Sequence, residues 1–330
     1  MPFVNNSSPL LFPPLYKGRA RVGSANRNNR LTLSNTFVFI FPSLSLLSLA
    51  CNRPPAGLYD VKSTTVDYVT RGTTKLYMDV FTPINAPAPR PAVVLFHGGG
   101  WVVGDRSDEC NLAAFLASMG YTAATASYRL CTEQGPHYPI PMQDALAAVK
   151  YMRSHAADFG ADPTRIAVGG ESAGGQLALM IGLVKDHAIF GDDSHAGVST
   201  EVSAVINIYG PSDLSLLFAG SGFVVQKLAL AYLGCTPRDC PEKWKAASPV
   251  TYVRKDAPPV LTIQGDNDTV VPYAQAETLQ KAIQAVGGRS RLVRVRGAGH
   301  GWGLLFNAHE NMRTLPAITQ FLAHVFPAAP

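Results

Sequence analysis

The chain has 330 residues, 47% of them hydrophobic and 15% charged, which is enough apolar surface for a large core and too little charge for a disordered chain. Its formal net charge of +5 has one source: residues 1–50 hold Lys17, Arg19, Arg21, Arg27 and Arg30 and no Asp or Glu. Of the 28 basic residues, 23 therefore remain to face 23 acidic ones over 51–330, a neutral balance that gives no electrostatic case for a nucleic-acid partner.

In chain order, the basic stretch ending at Arg30 precedes FVFIFPSLSLLSLAC, Phe37 to Cys51. Its apolar part is about 14 residues, shorter than the ~20 of a membrane-spanning helix. A basic region, an apolar region and then small residues form a secretory signal. The ending LLSLAC is similar to a bacterial lipoprotein cleavage box, with Cys51 as the lipidated residue and Ser48 where Leu is usual. A plain signal peptide and a short uncleaved anchor are the alternatives. Residues 1–51 thus read as the leader of an exported protein, membrane-anchored if Cys51 is lipidated; 52–61 read as a linker and 62–330 as the folded domain. The other cysteines, Cys110, Cys131, Cys235 and Cys240, are even in number, as export favours. CTPRDC would close a small loop between Cys235 and Cys240, and Cys110 with Cys131 would form a second bridge. Four cysteines allow three pairings, and none here has the spacing of a zinc site.

Past the linker, TTVDYVT and TKLYMDVFTP flank RGT and predict an antiparallel hairpin. AVVLFH is a continuous apolar run suited to a strand buried on both faces. LAAFLASMG predicts a helix, YTAATASYR a strand and PMQDALAAVKYMRSHAADFG a long amphipathic helix. RIAVGGES predicts a strand and QLALMIGLV a helix; VSAVINIYG and PPVLTIQGD are further strands. YAQAETLQKAIQAVG, RSRLVRVRG and NMRTLPAITQFLAHVF read as helix, strand and final helix. Such alternation predicts an α/β fold, a mostly parallel central sheet with helices on both faces and ligands beyond the carboxyl ends of the strands. The stretch 211–247 breaks the pattern with LSLLFAGSGFVVQKLALAYL and CTPRDC, and reads as a small lid insertion over the site or else an ordinary crossover.

VGGESAGGQL places Ser172 where strand passes to helix. Gly170 and Gly174 remove the Cβ atoms that would clash in so sharp a turn, which leaves the serine hydroxyl exposed above the sheet. A flexible Gly/Ser loop is the alternative. A serine needs a base near neutral pH, and histidine suits that role. Of eight histidines, His300 in RGAGHGWG directly follows a strand and sits among small residues. His187, His195, His309 and His324 read as surface groups in helices or polar loops. The imidazole needs a carboxylate, and TIQGDNDTVVP offers Asp266 and Asp268. Asp268 lies further into the loop; Asp266 can instead bind its own loop backbone. FHGGGW follows AVVLF, so N–H groups of Gly98 and Gly99, with that of Ala173, can converge on a developing oxyanion, while His97 orders the loop. A phosphate-cradling reading fails because no Gly-Lys-Ser/Thr follows. Ser172, Asp268 and His300 are thus the candidate catalytic residues. Trp101, Phe218, Phe223 and Trp302 are candidate substrate-pocket walls, with plain core aromatics as the alternative for each.

Together HGGGW, GESAGG, GDNDTVVP and GAGHG resemble the α/β-hydrolase fold esterases of the hormone-sensitive-lipase-like type. The segments YRLCTEQGPHYPIPMQDALAAVKYMRSHAADFGADPTRIAVGGESAGG and SPVTYVRKDAPPVLTIQGDNDTVVP are similar to bacterial feruloyl-esterase-like and related carboxylesterases, over about residues 62–326. The resemblance implies a serine carboxylesterase acting on small-molecule esters, with no metal and no cofactor. It also supports Asp268 over Asp266. Residue 171 is Glu where the hormone-sensitive-lipase group usually has Asp, and no room precedes the first strand for that group's helical cap, so cover must come from 211–247. A serine exopeptidase and a non-catalytic ligand-binding relative are the alternatives. The sequence carries no signal of oligomeric state.

Overall fold

Strand-forming runs at Val61–Arg71 (β1), Thr74–Pro83 (β2), Arg90–Phe96 (β3), Thr122–Ala126 (β4), Ala161–Glu171 (β5), Ala204–Ile208 (β6), Val260–Gly265 (β7) and Ser290–Val295 (β8) form one sheet. A computed structural model describes residues 58–302 and 308–327, with side chains for 58–302 and 314–327. The leader, Cys51, the start of the linker and the His309 side chain lie outside the described residues. The strand order is β1-β2-β4-β3-β5-β6-β7-β8. β1, β2 and β4 pair antiparallel in succession, and every other pairing is parallel. This is the α/β-hydrolase architecture.

Alternation within the apolar runs sorts the core into two layers. Val94, Phe96, Val168 and Val205 point to one face, under α2 (Ile140–Ser154), α3 (Ala173–Leu183) and α7 (Ala274–Ala285), which contribute Met142, Leu146, Leu177, Met180 and Leu279. Val93, Leu95, Ala167 and Ile206 point to the other, under α1 (Cys110–Ser118) and α8 (Ala308–Val325), which contribute Leu116, Ile318 and Leu322. Two elements differ from expectation. β5 begins at Ala161, where it meets Arg90 of β3, four residues before RIAV. The long helix expected over 141–160 ends at Ser154, and a separate 3-10 turn, Ala156–Phe159, stops at Gly160 in the left-handed region.

The stretch 211–247 forms α4 (Leu214–Gly220), α5 (Phe223–Leu233) and α6 (Pro241–Ala246). Its inner side belongs to the first core layer: Leu214, Leu217, Ala229, Tyr232, Leu233 and Trp244 are buried there. A Cys235–Cys240 disulfide closes the turn between α5 and α6. The Trp244 indole N–H donates to the Cys235 carbonyl at 3.0 Å. The expected Cys110–Cys131 bridge is not formed. Cys131 lies buried in the layer beneath α2 and α3, whereas Cys110 opens α1 and packs on the opposite layer, so the sheet stands between them. Burial pushes the Cys131 thiol up to about 12.

A buried ion network ties the hairpin to α2. The Asp144 side chain is fully buried, and Arg129 grips it through Nε and Nη2, both at 2.8 Å. Arg71, at the end of β1, reaches Asp144 at 3.1 Å and Asp192 at 2.7 Å, and Lys150 reaches Asp192 at 2.8 Å. Removing Asp144 leaves Arg71 and Arg129 without the buried counter-charge they share. Asp144→Ala is expected to cost about 3–5 kcal/mol of unfolding free energy, read by urea denaturation; a loss well under 1 kcal/mol would show the network to be idle.

Candidate active site

Ser172 sits at φ 51°, ψ −114°, a backbone region that non-glycine residues rarely enter. The turn is held in place from two sides: Ser172 N–H donates to the Ile208 carbonyl at 2.9 Å, and Gln176 N–H donates to the Ser172 carbonyl at 3.1 Å. α3 passes so close to the end of β3 that a Cβ on Gly174 would run into the Phe96 carbonyl. That close approach is why glycine stands there.

The loop after β3 lies against this turn. A Cβ on Gly98 would meet the Ser172 Cβ at 3.4 Å. Gly99 has φ 101°, which glycine alone adopts readily, and its carbonyl accepts from Val102 and Val103 N–H, both at 3.1 Å. Among the described residues, none accepts the N–H of Gly98, Gly99 or Ala173. His97 braces the loop. Burial lowers its pKa, so it is neutral. Its Nδ1 faces the Gly98 carbonyl at 2.8 Å, and since a carbonyl only accepts, that nitrogen carries the proton. The ring stacks on Tyr128 at 4.2 Å, and the Tyr128 hydroxyl donates to the His97 carbonyl at 2.9 Å.

His300, on the loop after β8, places Nε2 2.9 Å from Ser172 Oγ and Nδ1 2.7 Å from Asp268 Oδ2. A carboxylate accepts, so Nδ1–H donates to it and the Nε2 lone pair faces the serine hydroxyl. The Asp268 side chain is fully buried and the His300 side chain is 17% exposed. Asp268 is held by Val270 N–H at 2.9 Å, Val271 N–H at 2.8 Å and the Gln264 amide at 3.0 Å. Asp266 points elsewhere, accepting from Gly297 N–H at 2.6 Å and Arg294 at 2.8 Å. Those two bonds hold its pKa below the usual carboxylate value, the Gly297 bond first. The structure thus brings together three side chains from three separate loops.

The four candidate wall residues are placed differently. Trp101 is 3% exposed, stacks on Tyr232 at 4.2 Å and donates its indole N–H to Gln176 at 3.1 Å, so its faces are taken by core partners. Trp302 is 4% exposed and packs edge-on to Tyr209 at 4.4 Å. Phe218 packs edge-on to Trp244 at 5.1 Å, while Phe223 is 72% exposed, with Lys227 over its ring. Trp101 and Trp302 are therefore core aromatics, Trp101 against Tyr232 of the insertion and Trp302 against Tyr209 and Thr314 in the opposite layer, and Phe223 faces outward from the start of α5. Leu228 of α5 lies against Gly100, the next residue of the glycine loop. Of the histidines read as surface groups, His187 is half-buried and bonded to Thr200 Oγ1 at 2.6 Å, and His195 to the Tyr68 carbonyl at 2.8 Å.

Three polar residues escaped the sequence reading. Glu171 is buried and accepts from the Tyr209 hydroxyl, and burial pushes its carboxyl up to about 7. Glu109, at the end of the short helix Arg106–Glu109, is buried beside it and holds its proton well above the usual range, chiefly through burial and then the neighbouring Glu171 charge. Tyr209 itself had one signal, an aromatic between a strand and Gly-Pro.

Residues 78–283 match the model of the BD-FAE family. The chain belongs to the BD-FAE family. Ser172 and Asp268 fall inside the span that defines this BD-FAE relationship and His300 just beyond it. Among curated relatives, the chain is similar to esterase LipC of Mycobacterium tuberculosis, 32% identical over 75% of this chain and 62% of LipC. It is also similar to esterase LipQ of the same organism, 27% identical over 85% of this chain and 66% of LipQ. The chain thus spans about two thirds or less of the length of these relatives. Among solved structures, esterase 2 of Thermogutta terrifontis superposes with a TM-score of 0.70 at 26% identity, over 84% of this chain and 96% of that one. The same esterase has been solved with propionate and with butyrate bound.

Gly174→Ala tests the packing that sets the BD-FAE turn. The added methyl must displace the Phe96 carbonyl or α3, so a loss of about 1–3 kcal/mol is expected by urea denaturation. A variant as stable as the parent would mean that the approach of α3 to β3 is looser than described.

Proposed function

We propose that the protein is a serine carboxylesterase for short-chain acyl or aryl esters, acting through an acyl-enzyme. The observation that carries this is the unbroken hydrogen-bond chain from Ser172 Oγ through His300 to Asp268, set beside the unclaimed N–H groups of Gly98, Gly99 and Ala173. Ser172 Oγ attacks the ester carbonyl carbon while His300 Nε2 takes its proton. The carbonyl π pair moves onto oxygen, where the three N–H groups and the N-terminus of α3 stabilise the oxyanion. Asp268 keeps the imidazole in the required tautomer and offsets the imidazolium charge. The tetrahedral adduct collapses, the bond to the alcohol oxygen breaks, and His300 returns the proton to that oxygen. Water then attacks the acyl-serine by the same route and releases the acid. Supporting the substrate class, LipC and the T. terrifontis protein are named esterases, and the latter binds propionate and butyrate. Leu228 against Gly100 bounds the space beside the N–H donors, which favours a small acyl group.

Hydrolysis of p-nitrophenyl acetate and butyrate, alongside methyl ferulate and aminoacyl anilides, is the direct test. Ester turnover without anilide turnover is expected. Ser172→Ala should lower kcat/KM at least about 10⁴-fold and Asp268→Asn about 10³–10⁴-fold, with Asp266→Asn near wild type. Undiminished turnover by Ser172→Ala would end this reading, and preferential anilide cleavage would move it to the exopeptidase.

We also propose export. The leader composition and the Cys235–Cys240 disulfide, a bond favoured in oxidising compartments, support it. Fractionation of expressing bacteria with palmitate labelling should find the protein outside the cytoplasm, and Cys51→Ser should lose any lipid label. Recovery solely from the cytosol would reject export.

A further inference from the structure

Tyr209 stands outside the Ser172–His300–Asp268 chain yet touches it from behind. It follows β6 directly, is 1% exposed and has φ 42°. Few aromatic residues adopt that backbone, and here it is imposed. Tyr209 N–H donates to the Ile263 carbonyl of β7 at 2.8 Å, and the Asn207 side chain takes Gly210 N–H at 2.9 Å. The conformation aims the side chain across the ends of the strands. The ring packs against the His300 imidazole, centroids 4.7 Å apart and planes at 61°, and against Trp302. The hydroxyl donates to Glu171 Oε2, on the residue before Ser172. Glu171 lies beside the buried Glu109 carboxyl, whose proton affinity the Glu171 charge raises further.

One buried side chain therefore joins the base to the residue preceding the nucleophile. We propose that Tyr209 is a positioning residue for His300, its ring fixing one side of the imidazole and its hydroxyl anchored on Glu171. The proposal rests on the esterase reading above. Asp268 fixes the Nδ1 end of the ring; Tyr209 restrains its tilt, which sets the distance from Nε2 to Ser172 Oγ. The anchor needs an acceptor. Burial raises both carboxyls, and the Tyr209 hydroxyl donates to the one on Glu171. The groups facing Glu171 are Glu109 and Asp108 from the short helix and Tyr209 from the β6 end; those facing His300 are Ser172, Asp268 and Tyr209. Because burial raises the Glu171 carboxyl, it takes up a proton at higher pH than an ordinary glutamate, and the Tyr209 bond then loses its charge assistance.

The test is steady-state hydrolysis of p-nitrophenyl acetate from pH 5 to 9 by the full chain and by Tyr209→Phe, Tyr209→Leu, Glu171→Gln and Ser172→Ala, with thermal unfolding of each. Tyr209→Phe is expected to lower kcat about tenfold with KM within about twofold of wild type. Tyr209→Leu should lower it further. Glu171→Gln should remove from the acid limb of kcat the part that the Glu171 carboxyl contributes. Wild-type kcat and an unchanged acid limb in folded Tyr209→Phe and Glu171→Gln overturn the proposal. So does a loss of activity that tracks only the unfolding temperature or only KM. Should Tyr209→Leu fail to fold, the two conservative variants decide the question. An active wild type with an inactive Ser172→Ala and an unaffected Tyr209→Phe sinks the positioning role alone, while an inactive wild type sinks the esterase reading with it.

Discussion

The turn between β5 and α3 is the constraint on which the rest depends. Ser172 takes an unfavourable backbone conformation because α3 packs onto the end of β3 closely enough to leave no room for a side chain at residue 174. Backbone strain at a single residue costs of order 1–3 kcal/mol and survives only where its surroundings over-determine it. Here they do. β5 is central in the sheet, its neighbours β3 and β6 are fully or largely buried, and α3 is buried along its whole length. The strain falls on the residue whose hydroxyl faces His300.

The parallel register then supplies the partners. Phe96 pairs with Gly170, Glu171 with Ile208, Ile208 with Ile263 and Gly265 with Val295. Strands β3, β5, β6, β7 and β8 thus end nearly level, so the loops that follow them open at one edge. The glycine loop, the serine, Tyr209, Asp268 and His300 come from five different connections. They meet because the sheet aligns where those connections begin. Asp268 is fixed by backbone N–H groups of its own loop, which makes its carboxylate a stable reference for the imidazole.

Much of this was legible in the sequence. The apolar runs of β3, β6 and β7 are short, rich in β-branched residues and bounded by glycine or proline, and each is a strand where expected, while β5 contains the expected RIAV run but starts four residues earlier. Residues 98, 99, 172, 173, 268 and 300 each follow a strand, and position alone brings them to the same edge. What could not be read is what depends on distance through the sheet. Cys110 and Cys131 have even-count logic on their side, but they lie on opposite layers. Trp101 looks like a pocket wall next to its glycines, yet its indole is turned inward by Gln176 and Tyr232, which lie 75 and 131 positions further along the chain. Glu109 and Glu171 are 62 positions apart, and no local pattern announces that two carboxyls share one dry space.

The insertion has a bearing on how such a fold changes its preferences. Tyr232 of α5 stacks on Trp101, and Trp101 in turn bonds to Gln176 of α3. The insertion, the glycine loop and the helix after Ser172 are therefore keyed into one another through Tyr232, Trp101 and Gln176. Reshaping the mouth by swapping whole insertions would unlock that keyed joint. The outward turn around Phe223 and Val224 is free of that joint, so substitutions there can alter the surface of the insertion one side chain at a time and leave the packing beneath it in place.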